Sequence, residues 1–219
     1  MKIGVIGGTF DPVHLGHIAI ARAAVSEYGL DRLWFMPAGD PYFKEGSGVT
    51  SPALRYEMTR QCVEALPDSF ECSDFELAEE ERTYSAITFQ RLNTFYPEDS
   101  FFFIMGLDSL RSLHKWYRPE LLLANTAILC AARNQELESG TDIEAVVREV
   151  KDQFSDHPGL KPDIRVIHTP TVDISSTMIR GLVREGQDIS QYVTKETENF
   201  IREHGLYLSP ENRHNIWYF

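Results

Sequence analysis

The stretch Gly7-Gly8-Thr9-Phe10-Asp11-Pro12-Val13-His14-Leu15-Gly16-His17 joins two different patterns. Before it runs an apolar segment, Ile3 to Ile6, that reads as a buried strand. After it, Ile18-Ala19-Ile20-Ala21-Arg22-Ala23-Ala24-Val25 reads as a helix. A strand that breaks at paired glycines and restarts as a helix gathers backbone N–H groups and a positive helix end at one point, which suits phosphate. His14 and His17, three residues apart, project from one face of that helix start. The spacing Gly4-x-x-Gly7-Gly8 is not the G-x-G-x-x-G of a dinucleotide turn, and the chain has no G-x-x-x-x-G-K-[ST] loop. No H-E-x-x-H pattern or cysteine partner accompanies the histidines, so no metal site is expected there. A single histidine would read as a cap or as packing; two after a Gly-Gly turn read as an anion site.

Composition sets the outer bounds. With 219 residues, 42% hydrophobic and 25% charged, the chain suits one soluble domain, with or without an appended lobe. A net charge of −12 argues against binding a nucleic acid polymer, so an anionic ligand has to be met by a local positive site. Cys62, Cys72 and Cys130 form no C-x-x-C pair and fall in apolar runs, so a reducing, cytoplasmic setting is expected. The first strand begins at once, leaving no room for a signal peptide, and no apolar run approaches the roughly 18 residues of a membrane span.

Further along, Gly29 is placed to stop the first helix, and Arg32 to Met36 reads as a strand closed by Pro37. The loop from 38 to 51 carries Lys44. Ser51 and Pro52 open a helix whose apolar stripe is Leu54, Met58 and Cys62. Phe70 to Phe75 reads as a short extended segment, and Ala86 to Phe95 as a helix after Tyr84-Ser85. Ser100 to Met105 is the plainest buried strand; Asp108, just beyond it, suits either a sugar hydroxyl or a helix cap. Thr126 to Ala131 is a strand ending near Arg133, Thr141-Asp142-Ile143-Glu144 has the form of a capping box, and Ile164 to Ile167 is the last strand. Ser175-Ser176-Thr177 then opens a helix with Arg180 one turn in, which reads as a second anion site or a plain serine cap. Gly186 would stop that helix, and Thr194 would cap a last one ending near Gly205.

Strands alternating with helices predict an α/β fold, a Rossmann-like, doubly wound parallel sheet with helices on both faces. Ligands in such sheets bind at the strands' carboxyl ends. That rule gathers the first loop, Lys44, Asp108, Arg133 and the Ser175 turn on one rim. A single domain over 1–207 is expected, with a C-terminal helical part over about 175–207 and an apolar tail over 208–219.

The pairing of G-G-T-F-D-P-V-H-L-G-H with the later I-S-S-T-M-I-R resembles the nucleotidyltransferase superfamily that carries an H-x-G-H signature. The likeness is closer still to the bacterial nicotinate-nucleotide adenylyltransferases, and it runs from residue 1 to about Tyr207. Pro41-Tyr42-Phe43-Lys44, Thr83-Tyr84-Ser85, Met105-Gly106-Leu107-Asp108, Trp116 and Arg133 support it. The resemblance implies AMP transfer from ATP to nicotinate mononucleotide, with Mg²⁺ carried mainly on the ATP phosphates. It implies an ATP site of Gly7, Gly8, Thr9, Phe10, His14, His17, Ser175, Ser176, Thr177 and Arg180, with His14, His17, Lys44 and Arg180 serving the chemistry. It implies an acceptor site of Lys44, Tyr84, Ser85, Asp108, Trp116 and Arg133. Phe43 stands where the family often has histidine, and Thr83-Tyr84-Ser85 where it often has S-Y-T. Nicotinamide mononucleotide, or another phosphorylated acceptor, stays as the alternative substrate, and a homo-oligomer stays open.

Overall fold

The computed structural model describes residues 1–39, 49–77, 83–131, 142–169 and 173–209. Its centre is β4, Ser100–Gly106, whose unbroken apolar run has the composition of a strand covered on both faces. Phe101, Phe103 and Met105 enter one core, while Phe102 and Ile104 enter the other, as the two-residue period of a strand requires. On one side β4 pairs with β1 (Lys2–Gly8), which pairs in turn with β2 (Arg32–Pro37) and then β3 (Phe70–Cys72). On the other side lie β5 (Ala127–Ala131) and β6 (Ile164–Ile167). All five pairings are parallel, and the order is β3-β2-β1-β4-β5-β6. The strand order therefore reverses between β1 and β4, and in open parallel sheets that crevice is where ligands bind.

The helices divide between the two faces. On one side α1 (Leu15–Tyr28) and α2 (Pro52–Glu64) bury Ile18, Ala21, Met58 and Cys62. The opposite side holds α3 (Ser85–Phe95), α4 (Leu107–Arg111), α5 (Pro119–Asn125) and α6 (Ile143–Asp152), which bury Phe89, Leu110, Leu122 and Val147. The last two helices, α7 (Ser176–Arg184) and α8 (Lys195–Glu203), return to the first side through Ile179, Phe200 and Ile201. Gly29 ends α1 at φ 59, where its N–H reaches Val25 O, so a left-handed residue without a Cβ is needed there. The expected strands and long helices are present. Among the described residues, no helix is long and apolar enough to cross a membrane.

Two local expectations change. The cap of α6 is Asp142, whose carboxylate accepts the Ala145 N–H at 2.9 Å, and not Thr141, which lies outside the described residues. A carboxylate one residue closer to the helix both accepts the bond and faces the positive helix end. Asp108 is not a cap either: Gly106 takes that position, leaving Asp108 exposed in the first turn of α4.

Candidate active site

The segment between β1 and α1 is built from close contacts. Phe10 is 2% exposed and holds φ 48, the left-handed region that bulky residues rarely adopt. Its ring packs edge-on to His17 at 5.0 Å and tilts against Phe35 at 5.7 Å, and these contacts keep it there. A Cβ on Gly8 would lie 3.2 Å from the same ring, so the second glycine admits the turn. His14 is the extended N-cap of α1 and is buried; its ring stacks on His17 at 3.7 Å with 25° between planes. His17 Nδ1 accepts the His14 backbone N–H at 3.2 Å. In the neutral ring that acceptor role puts the proton on Nε2, the nitrogen from which a phosphate oxygen could accept.

The Ser175 turn comes to this segment from the far end of the chain. Ser175 caps α7, accepting Met178 N–H at 3.2 Å, as the plainer reading of that serine expected. Ser176 Oγ donates to Pro12 O at 2.8 Å. Arg180 donates through Nη1 to Asp11 O at 2.8 Å and through Nη2 to the Thr177 hydroxyl at 3.3 Å. The serine-rich turn and the first loop are thus one unit, although 164 residues separate Ser176 from Pro12. Tyr207 adds a third tie by donating to Asp11 Oδ1 at 2.6 Å. Burial and the neighbouring Asp11 push the Tyr207 phenol well up, so it stays a donor.

Beside this loop opens a cleft of about 590 Å³. Gly7, Gly8 and Thr9 form one edge of it, and Tyr84, Ser85 and Trp116 another. The Tyr84 ring lies 4.4 Å from that of Tyr117, and Trp116 packs on Phe103. The wall therefore offers flat aromatic faces to a planar ring. Asp108 is not in this wall, although its neighbour Ser109 is. Lys44 and Arg133 lie outside the described residues.

Sequence reasoning missed several groups. Arg55 is fully buried in α2, where it donates to Thr9 O at 2.7 Å, Ala38 O at 2.6 Å, Gly39 O at 2.9 Å and Thr50 O at 2.9 Å. One guanidinium thereby fastens the first loop to the exit of β2 and the approach to α2. The signal was its helical position: Arg55, Met58, Thr59 and Cys62 form the buried stripe, displacing Leu54 from its centre.

Glu76 and Lys115 were missed too. Among the described residues they are the charged side chains that line the cleft. Burial pushes the Glu76 carboxyl up from its ordinary 4.5, while the Thr88 and Thr83 hydroxyls pull the other way. A raised carboxyl binds its proton more tightly in the folded chain, so its contribution to stability declines as pH rises above about 4.5. Glu76→Gln removes that decline. In melting curves from pH 4 to 8, the variant should gain on the wild type as pH rises; parallel curves would contradict an ionisation cost at Glu76.

An H-x-G-H helix start at the switch point of a 3-2-1-4-5-6 sheet, with a hydroxyl-rich turn beside it, defines an α/β nucleotidyltransferase site. Comparison with known proteins narrows the class. The family model described as Cytidylyltransferase-like matches residues 5–182. Proteins named nicotinate-nucleotide adenylyltransferase align over 94% of the chain. The one from Shewanella frigidimarina is 36% identical over its full length, and the one from Clostridium tetani is 31% identical over 98% of its length. A solved Plasmodium falciparum nicotinic acid mononucleotide adenylyltransferase, complexed with NaAD, shares the fold. Its TM-score is 0.76 at 18% identity, covering 94% of this chain and 97% of that one. The chain belongs to the nicotinate-nucleotide adenylyltransferase family, within the cytidylyltransferase-like proteins.

Proposed function

We propose that this protein transfers AMP from ATP to nicotinate mononucleotide, releasing pyrophosphate and forming nicotinate adenine dinucleotide for NAD biosynthesis. The observation that carries the reading is the shared edge Gly7-Gly8-Thr9, which belongs to the histidine-bearing loop and also lines the aromatic cleft. Triphosphate on one side and a pyridine ring on the other would place an acceptor phosphate beside the α-phosphorus. That phosphate has a second pKa of about 6, so it attacks already ionised and needs no general base. The protein's task is then alignment and stabilisation of charge on the transferring group.

In this reading His14 and His17, with the Gly8-Thr9-Phe10 backbone, face the ATP phosphates. The Ser175-Ser176-Thr177 turn and Arg180 serve the β and γ phosphates and the adenine side. Tyr84, Ser85 and Trp116 receive the pyridine ring, with Asp108 toward a ribose and Lys44 and Arg133 toward acceptor anions. Among the described residues no group of three or more His, Cys, Asp or Glu could hold a metal ion. Imidazole, hydroxyl and backbone N–H groups suit phosphate oxygens instead. This fits Mg²⁺ carried by the triphosphate and water, where it neutralises phosphate charge.

The deciding test is pyrophosphate release from ATP and Mg²⁺ with nicotinate mononucleotide or its amide as acceptor. Preference for the acid supports the assignment. Equal use makes the chain a dual-specificity adenylyltransferase, and release with neither overturns the pyridine-nucleotide reading.

A further inference from the structure

We propose that Glu76 is a positioning residue for the pyridine mononucleotide: its carboxyl clasps the 83–88 turn that forms the acceptor wall. The inference rests on the activity proposed above and adds a residue to its acceptor side. Glu76 Oε1 accepts the Thr88 Oγ1 hydroxyl at 2.7 Å, and Thr83 is near enough to help hold the carboxyl's pKa down against its burial. Those two threonines bracket Tyr84 and Ser85, and Thr83, Tyr84, Ser85 and Thr88 all line the cleft. The Thr88 hydroxyl lies 3.3 Å from Tyr84 O, so the clasp also reaches the backbone at the N-cap of α3. On its other side, Glu76 meets the exit of β2: a Cβ on Gly39 would come within 2.7 Å of the Glu76 carbonyl oxygen. Glu76 thereby spaces the acceptor wall against the strand that runs beside β1. A carboxyl in an open cleft wall that is tied to this turn through Thr88 sets shape there, and an amide of the same length can keep that contact. Gln Oε1 would accept from Thr88.

The test is steady-state kinetics on the full chain, reading the KM of each substrate separately. Glu76→Ala should raise the KM for nicotinate mononucleotide about tenfold while leaving the KM for ATP within about twofold. Glu76→Gln should restore the acceptor KM to within about threefold of the wild type. Thr88→Val removes that contact and should raise the acceptor KM alone by about threefold or more, which keeps the proposal testable should the alanine variant fold poorly. A rise in both KM values together would mean a general structural role and overturn the clasp. So would a glutamine variant no better than alanine, because charge would then matter and not shape. A wild type that releases no pyrophosphate with nicotinate mononucleotide refutes the activity, and the clasp falls with it; an active wild type with an unsplit KM effect refutes the clasp alone.

Discussion

Replacing His17 with alanine should lower kcat by about 10²–10³-fold while the KM for ATP changes by less than about threefold. The expectation follows from how the ring is held. Its Nδ1 is engaged by the His14 N–H, its faces by His14 and the edge of Phe10, so Nε2 is oriented before substrate arrives. A donor fixed in advance contributes most where negative charge grows during transfer, and little to ground-state binding. Steady-state kinetics with varied ATP separates the two effects. A raised KM for ATP with kcat unchanged would mean uniform binding of the triphosphate and would remove the transition-state role.

Replacing Arg55 with methionine should cost about 3–5 kcal/mol of stability, because the half-buried carbonyls of Thr9, Ala38, Gly39 and Thr50 all lose the same buried, charged donor at once. For a chain of this size that corresponds to a fall in Tm of about 10 °C. Arg55→Lys keeps the charge but not the planar fork, so one ammonium cannot reach acceptors in three separate segments. It should recover less than half of the loss. Thermal melts of both variants check this; a drop below about 2 °C for Arg55→Met would mean that water or neighbouring groups replace the guanidinium.

The fold was legible in the sequence where a pattern was long enough or sharply bounded. Ser100 to Met105 announced itself by an aromatic run ending at glycine, and the Gly7 to His17 stretch by its composition. The short elements between Leu107 and Asn125 were not legible. Five residues in α4 and seven in α5 span too few turns to show a 3.6-residue period. The site divides in the same way. Glycines, paired histidines and consecutive hydroxyls single out two segments by residue type, and the structure brings residues 11–12 and 176–180 together. Arg55 and Glu76 act through partners in other segments, so no local pattern names them. Arg55 could have been suspected only as a cation in an apolar stripe.

The ties from Tyr207, Arg180 and Ser176 to residues 11 and 12 have a consequence for the timing of synthesis. The loop at residues 11–12 is synthesised well before its braces, with a sequence separation of 196 from Asp11 to Tyr207. All six strands have been made by Ile167, so the sheet can assemble on the ribosome while the loop above it is still unbraced. The loop is therefore fully braced only once Tyr207 has been made. A message cut short between codons 168 and 207 would encode a protein with every strand of the sheet and an incompletely braced loop.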